Sequence, residues 1–226
     1  MDDTTVVITG GSSGIGAACV RAFAREGATV VACARESDAI EAMAEEFETV
    51  EAVRADVRDE YDVERLMETA ARVGGPIDVV VANAGVNHGA PGEMALEAEP
   101  YSRFDDTFRT NVRGVFTTVK EAHPHLAADA RILVPSGSVA REAKPGMGAY
   151  AASKAGAEAL VRGFAVDLDQ TVGVVDPGLV ATEVTGGQGR DAEDVAPMFL
   201  WAATECPVDD LDGEIVDLRA WKQATR

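Results

Sequence analysis

The chain has 226 residues, 46% of them hydrophobic, which is enough to bury the core of a compact α/β protein. Its formal net charge is −19, so the surface lacks the basic patches that nucleic acids and anionic membranes require of a partner. With 39 acidic residues and only four lysines, the composition favours a protein adapted to a salt-rich cytosol over an ordinary acidic protein.

Apolar strand-like runs alternate with helix-like segments along the whole chain. Several runs are short and rich in Val, which is typical of parallel strands covered on both faces. The alternation predicts an α/β fold, a doubly wound, Rossmann-like parallel sheet of seven strands with helices on both faces, in a single domain over residues 1–226. The predicted strands are Thr5–Thr9, Thr29–Cys33, Val50–Ala55, Ile77–Ala82, Arg131–Pro135, Thr171–Val175 and Glu214–Asp217. The predicted helices are Ile15–Glu26, Asp38–Phe47, Glu60–Arg72, Tyr101–His123, Ala149–Leu168 and Ala192–Ala203.

Glycine-rich or polar clusters follow four of the predicted strands. They are Gly10–Gly16, Asn83–Gly85, Ser136–Ser138 and Pro177–Gly178. Ligands of doubly wound sheets bind beyond the carboxyl ends of the strands, so we expect these clusters to meet at one binding site.

The first cluster has the glycine spacing G-x-x-x-G-x-G between a Val-rich strand and an amphipathic helix. Glycines allow a tight turn and close backbone approach, and the N-terminus of the helix favours a phosphate group. The sequence therefore predicts dinucleotide binding here. The residues assigned to it are Gly10, Ser12, Ser13, Gly14, Ile15 and Gly16.

The end of the second predicted strand bears on the choice of cofactor. An acid there binds the ribose 2′-hydroxyl of NAD, but this chain has Ala34 followed by Arg35, whose guanidinium suits a 2′-phosphate. NADP(H) is therefore preferred and NAD(H) remains possible, although Arg35 could also be a surface arginine. After the third strand, Asp56 and Val57 are expected to bracket the adenine, and Asp56 could instead cap the next helix.

Tyr150 and Lys154 lie four residues apart in a predicted helix and so share one face. A free tyrosine has a pKa near ~10, and a nearby positive charge favours the phenolate. The spacing predicts that Lys154 lowers the pKa of Tyr150, which suits Tyr150 to general acid–base catalysis.

Together these residues resemble the short-chain dehydrogenase/reductase family in its single-domain form, over about residues 4 to 218. The resemblance rests on Thr9-Gly10-x-x-x-Gly14-x-Gly16, Asn83-Ala84-Gly85, Asn111, Ser138, Tyr150-x-x-x-Lys154 and Pro177-Gly178. It implies a nicotinamide cofactor, reversible hydride transfer between a carbonyl and an alcohol, and a homodimer or homotetramer.

The resemblance also implies a role for each matching residue. Tyr150 would be the general acid/base at the substrate oxygen, and Lys154 would bind the nicotinamide ribose. Ser138 would polarise the substrate carbonyl, with Ser136 as a rival, and Asn111 would hold a water of a proton relay. Asn83, Ala84, Gly85, Pro177, Gly178, Val180 and Thr182 would complete the cofactor site.

Three functions remain open at this point. The leading one is an NADP(H)-dependent oxidoreductase acting on a small carbonyl or alcohol substrate. A second is reduction of 3-oxoacyl groups on a carrier protein, although carrier proteins are acidic and this chain is acidic too. A third is a non-enzymatic dinucleotide sensor, which would not need the four catalytic residue types together.

Several other features carry weaker expectations. Arg141 and Lys144 could meet an anionic substrate, but solvated loop charges are favoured. His88 lies just beyond the Asn83–Gly85 cluster, where a loop residue is favoured over a substrate contact. The glycine-rich stretch from Thr182 to Asp191 predicts a small, mobile lid.

Metal and membrane binding are not predicted. Cys19, Cys33 and Cys206 lack metal-ligand spacing and are expected to be reduced core residues, and His123 and His125 have no third ligand nearby. No apolar run is long enough to cross a membrane, and the chain enters its first strand without a signal peptide, which predicts a cytoplasmic location.

Overall fold

The computed structural model describes residues 1–226, in which strands and helices alternate as the sequence predicts. The strands are β1 (Thr5–Thr9), β2 (Thr29–Ala34), β3 (Val50–Arg54), β4 (Ile77–Val81), β5 (Leu126–Pro135), β6 (Thr171–Asp176) and β7 (Ile215–Asp217). The helices are α1 (Gly14–Arg25), α2 (Asp38–Glu46), α3 (Glu60–Gly74), α4 (Tyr101–Phe108), α5 (Gly114–Ala122), α6 (Gly148–Asp167), α7 (Ala192–Thr204), α8 (Val208–Leu211) and α9 (Leu218–Ala224).

All seven strands form one parallel sheet in the order β3-β2-β1-β4-β5-β6-β7. The strand order reverses between β1 and β4, where a doubly wound sheet opens its binding crevice. The predicted fold class is therefore confirmed, including the strand number.

The core lies on both faces of the sheet, because successive side chains of a strand point to opposite sides. In β1, Val6 and Ile8 join the cluster packed under α1 and α7, whereas Val7 joins the cluster under α3, α5 and α6. Every residue of β1 is buried, as expected for a central strand covered twice.

Three local features depart from the predicted elements. Strand β5 begins at Leu126 instead of Arg131, because Leu126 pairs with Ile77 before an irregularity that ends where Arg131 pairs with Val79. The long helix predicted from Tyr101 is interrupted by a π-helical turn, described below. Helices α8 and α9 were not predicted, and α9 begins where the Asp217 carboxylate accepts hydrogen bonds from two backbone N–H groups.

None of the helices is both long enough and apolar enough to span a membrane.

Candidate active site

The four sequence clusters lie at the carboxyl ends of β1, β4, β5 and β6, which are consecutive neighbours in the sheet. The fold therefore brings the glycine-rich turn, Asn83–Gly85, Ser136–Ser138 and Pro177–Gly178 to one edge. This grouping follows from topology alone, before any side-chain contact is considered.

The glycines of the glycine-rich turn have no room for side chains. Gly10 and Gly14 have positive φ angles of 68° and 52°, and a Cβ on Gly16 would run into the carbonyl oxygen of Gly10. Helix α1 starts at Gly14 with no acidic residue in its first turn, and the exposed Ser13 side chain does not cap it. Its first N–H groups are thus available to an anion, and the turn is a cradle that fits a pyrophosphate.

Asn83 fastens this turn to the end of β4. Its Nδ2 donates to the carbonyl oxygens of Thr9 at 3.0 Å and Gly10 at 3.1 Å. The backbone N–H of Ala84 donates to Thr9 Oγ1 at 3.1 Å. The predicted cofactor residues of β1 and β4 therefore form one hydrogen-bonded unit, with Gly85 against the Asn111 side chain.

A cleft of about 570 Å³ opens beyond β2 and β3. Arg35 lies in it as predicted, and the Arg54 guanidinium donates to the Arg35 carbonyl oxygen at 3.1 Å. The full lining is Arg35, Arg54, Ala55, Asp56, Asp62 and Arg65. Arginines outnumber acids here, which suits a phosphate on an otherwise acidic protein.

The Asp56 carboxylate is hydrogen-bonded to the neighbouring Arg58 side chain. Hydrogen bonds from the Arg58 guanidinium, the closest at 2.6 Å, hold the pKa of the Asp56 carboxyl below its usual value. The alternative that Asp56 caps α3 is wrong, because the Asp59 side chain accepts from the first N–H groups of that helix. Val57 is buried, and a Cβ on Gly114 would lie 2.8 Å from one of its methyl groups.

Asn111 sits in a π-helical turn, Arg109–Arg113, that joins α4 to α5. The buried Asn111 side chain faces the backbone of Val86: its Oδ1 accepts from the Val86 N–H at 2.8 Å, and its Nδ2 donates to the Val86 carbonyl oxygen at 2.9 Å. Its Nδ2 also donates to Ser153 Oγ at 2.9 Å. Asn111 thus braces the segment after β4 against α6, and π-turns of this kind are frequent at functional sites.

Tyr150 and Lys154 share one face of α6, as predicted. Lys154 Nζ lies 5.9 Å from the Tyr150 ring centroid and donates to the carbonyl oxygen of Pro135 at 2.9 Å. Burial lowers the pKa of Lys154 to about 8, partly countered by the carboxylate of Glu158, so the ammonium form still predominates at pH 7.

The pKa of Tyr150 corrects one expectation. Burial raises it to about 12, whereas the sequence predicted that Lys154 would lower it. The reason is that the phenol is desolvated while the ammonium is directed to the Pro135 carbonyl. Tyr150 is therefore a protonated phenol at neutral pH.

The two candidate serines after β5 have different surroundings. Ser136 is buried and donates to Glu158 Oε1 at 2.7 Å, which makes it an internal residue. Ser138 is half-buried, begins a 3₁₀ turn that packs against α6, and accepts a hydrogen bond of 2.5 Å from Lys144 Nζ. This geometry favours Ser138 as the serine that meets a substrate.

The segment after β6 reaches across to the glycine-rich turn. Gly178 has a φ of 70°, and a Cβ on Gly14 would lie 2.8 Å from a methyl carbon of Thr182. Val180 is buried, and its neighbours Leu179 and Ala181 exchange backbone hydrogen bonds of 2.9 and 2.7 Å with Arg190. Backbone hydrogen bonds therefore hold the two ends of the predicted lid together.

Sequence reasoning missed two groups of charged residues. Arg141 is not a solvated loop charge, because its guanidinium binds the buried carboxylates of Glu158 and Asp176. His88 Nε2 lies 2.7 Å from Asp106 Oδ2, so this loop histidine is also part of a charged network. For the Arg141 group, the sequence did offer one indication: Glu158 follows Lys154 by four residues, which places its carboxylate on the same face of the helix.

The family model of the short chain dehydrogenases matches residues 4–193. This match covers most of the chain, including the glycine-rich turn and the Tyr150–Lys154 pair. The chain belongs to the short-chain dehydrogenase family.

Curated relatives in the family differ in what their names describe. A versicolorin reductase of Emericella nidulans is 32% identical over 81% of this chain and 72% of its own length. A cyclic-di-GMP-binding biofilm dispersal mediator protein of Escherichia coli K12 is 34% identical over 88% of this chain and 89% of its own.

Solved structures of family members share the whole fold. An alcohol dehydrogenase from the archaeon Thermococcus sibiricus, complexed with 5-hydroxy-NADP, has a TM-score of 0.83 and 30% identity over 95% of both chains. A 3-ketoacyl-(acyl-carrier-protein) reductase from Brucella melitensis, complexed with NADH, has a TM-score of 0.86 and 25% identity over 95% of this chain and 96% of its own. The chain is accordingly an oxidoreductase of the short-chain dehydrogenase family that acts on a CH–OH or carbonyl group with NAD(P).

Proposed function

We propose that residues 1–226 form one NADP(H)-binding domain that interconverts a carbonyl and a primary or secondary alcohol by hydride transfer. The observation that carries the proposal is the Tyr150–Lys154 pair on α6, whose Lys154 Nζ lies 2.9 Å from the carbonyl oxygen of Pro135 at the carboxyl end of β5. Hydride transfer is the chemistry that a bound nicotinamide cofactor supplies.

Tyr150 is the proposed general acid and base. In the direction of reduction its protonated phenol donates to the substrate oxygen as negative charge develops there. The pKa of about 12 makes the free phenol a weak acid, so Lys154 and the other charges of the complex must stabilise the phenolate that forms.

Ser138 is the proposed hydrogen-bond donor to the substrate carbonyl. Lys144 Nζ, at 2.5 Å from Ser138 Oγ and 3.2 Å from Glu142 Oε2, would place an ammonium group two hydrogen bonds away from the reacting oxygen. Asn111 is proposed to hold a water through which Tyr150 and Lys154 exchange protons with solvent, while its side chain braces Val86 against α6.

The cofactor is proposed to bind along the edge from β3 to β6. The glycine-rich turn would hold the pyrophosphate, Asn83–Gly85 would line the groove, and the segment after β6 would bind the nicotinamide end. Lys154 would bind the ribose next to the nicotinamide. The residues in this role are Gly10, Ser12, Ser13, Gly14, Ile15, Gly16, Arg35, Asp56, Val57, Asn83, Ala84, Gly85, Tyr150, Lys154, Pro177, Gly178, Val180 and Thr182.

A preference for NADP(H) over NAD(H) is supported by the arginine-lined cleft, since a 2′-phosphate there would meet Arg35 and Arg54. Replacing Arg35 by Ala is expected to raise the KM for NADP at least about tenfold, with little change for NAD. Arg72→Ala on the exposed side of α3 is the matched control. Equal effects of Arg35→Ala on both cofactors would refute the preference.

The test of the proposed function is a turnover screen of ketones, aldehydes and alcohols with each cofactor at low and molar salt. The panel includes a 3-oxoacyl thioester, in view of the 3-ketoacyl-(acyl-carrier-protein) reductase among the similar structures. Tyr150→Phe is expected to lower kcat by about 10² to 10⁴ while cofactor affinity stays within a few-fold. Loss of cofactor binding instead would assign Tyr150 a structural role.

Two other functions are outcomes of the same screen. Turnover confined to carrier-bound 3-oxoacyl groups would favour the carrier-protein reductase, which the net charge of −19 opposes. Binding of a dinucleotide without any turnover would favour a sensor, a reading to which the cyclic-di-GMP-binding relative gives some support.

We further propose a homodimer or homotetramer in a salt-rich cytoplasm, with a small-molecule substrate and no nucleic-acid or membrane partner. The acidic surface supports this setting, because high salt screens the repulsion between like-charged subunits. Sedimentation at low and molar salt tests it, and a monomer at both would overturn the oligomer.

A further inference from the structure

Arg141 joins two buried carboxylates in an ion triad next to the proposed catalytic residues. One guanidinium nitrogen binds Glu158 Oε1 and another binds Asp176 Oδ2. The side chains of Glu158 and Asp176 are only 4% and 9% exposed, whereas that of Arg141 is 35% exposed. The triad therefore extends from the molecular surface into the protein beneath the site.

The two carboxylates also hold neighbouring groups. Glu158 Oε1 accepts from Ser136 Oγ at 2.7 Å, and Asp176 Oδ1 accepts from the backbone N–H of Gly178 at 3.0 Å. Burying two carboxylates costs free energy unless their oxygens are paired and hydrogen-bonded, so the Arg141 guanidinium, which binds one oxygen of each, helps to hold both in place.

Each member of the triad belongs to a different segment of the site. Arg141 follows the 3₁₀ turn of Ser138, and its backbone N–H donates to the Ser138 carbonyl oxygen at 3.0 Å. Glu158 lies one turn beyond Lys154 on α6, and Asp176 is the last residue of β6, two residues before Gly178. These segments are separated in sequence by 17 and 35 residues, measured from Arg141.

We propose that Arg141 is a positioning residue of the hydride-transfer site, which fixes the serine turn, α6 and the end of β6 relative to one another by binding Glu158 and Asp176 at once. This inference rests on the proposed function. It assigns no contact between Arg141 and the substrate. Its effect is on the distances among Ser138, Tyr150 and Gly178, where small displacements have large effects on rate.

The experiment separates positioning from folding. Arg141→Met leaves two buried charges unpaired, and is expected to lower Tm by roughly 10 °C and kcat by about 100-fold. The triple variant Arg141→Met, Glu158→Gln, Asp176→Asn removes all three charges but keeps acceptors for Ser136 and Gly178. It is expected to regain most of the Tm and little of the kcat, because no group spans the three segments.

Two further proteins keep the experiment decisive. Arg141→Lys retains the charge but offers one ammonium to two carboxylates, so it should fold and still lose kcat about tenfold. Arg162→Met removes an exposed arginine from α6 and should match the wild type.

The outcomes distinguish the two proposals. Recovery of kcat together with Tm in the triple variant, or an unchanged kcat in Arg141→Lys, would overturn the positioning role alone. A wild-type protein without turnover on any carbonyl or alcohol would instead refute the proposed function, and the positioning role with it.

Discussion

Replacing Lys154 by Met tests the energetics of the proposed site without a substrate. In the folded protein burial lowers the pKa of Lys154 from its ordinary 10.5 to about 8. Between these two values the unfolded chain binds a proton that the folded chain lacks, so the stability of the wild type rises with pH across this window. The variant has no such group.

The size of the effect follows from the two pKa values. At about 1.4 kcal/mol per pH unit, the window from about 8 to 10.5 corresponds to roughly 3 kcal/mol of unfolding free energy. Most of it, roughly 2.5 kcal/mol, is expected between pH 7 and pH 10. Below pH 8 the penalty of burying the ammonium is fully present, and above pH 10.5 it is gone.

Urea unfolding of both proteins at pH 7, 8, 9 and 10, at one fixed salt concentration, measures the effect. The informative quantity is the free energy of unfolding of the wild type minus that of Lys154→Met at each pH. Groups that do not interact with Lys154, such as the buried thiols of Cys19 and Cys33, titrate in both proteins and cancel in this difference. If this difference in unfolding free energy does not change with pH, Lys154 is not desolvated and the lowered pKa is refuted.

Two further predictions concern the turns on either side of the site. Gly16→Ala places a methyl group against the Gly10 carbonyl and 2.6 Å from Asn83 Nδ2, so the Kd for NADPH, followed by fluorescence, is expected to rise at least about tenfold. Gly163→Ala, where a Cβ meets open space, is its control, and an unchanged Kd for Gly16→Ala would contradict the cradle. Lys144→Met removes the hydrogen bond to Ser138 Oγ and is expected to lower kcat about tenfold in steady-state assays, with the cofactor KM unaltered. If Lys144→Met and the control Lys222→Met have the same kcat, Lys144 takes no part in the reaction.

The sheet and its binding edge could be predicted because they depend on local patterns and on general rules of topology. Val-rich runs such as Val6–Ile8 identify central strands, and the clusters after them must meet once the strands are parallel. The irregularity in β5 could not be predicted, because it depends on how Leu126 and Arg131 pair with β4. The π-turn at Asn111 could not be predicted either, because its hydrogen-bond partners Val86 and Ser153 lie 25 and 42 residues away in the sequence.

The pKa values and ion pairs of the site could not be predicted from the sequence. The spacing of Tyr150 and Lys154 places them on one face but gives no measure of burial, which decides both pKa values. The role of Arg141 was missed for a related reason. Its partners come from α6 and β6, so only the folded chain shows that the three charges meet.

The wide turn of Arg109–Arg113 has a consequence for how this part of the chain can vary. An α-helix rotates about 100° per residue, so the surplus residue sets α5 out of phase with α4. Deleting a single residue there would turn Val115 and Val119 away from the sheet and carry Asn111 away from Val86. Surface loops tolerate insertions and deletions, but this turn should not. The number of residues in it is constrained as strictly as their identity.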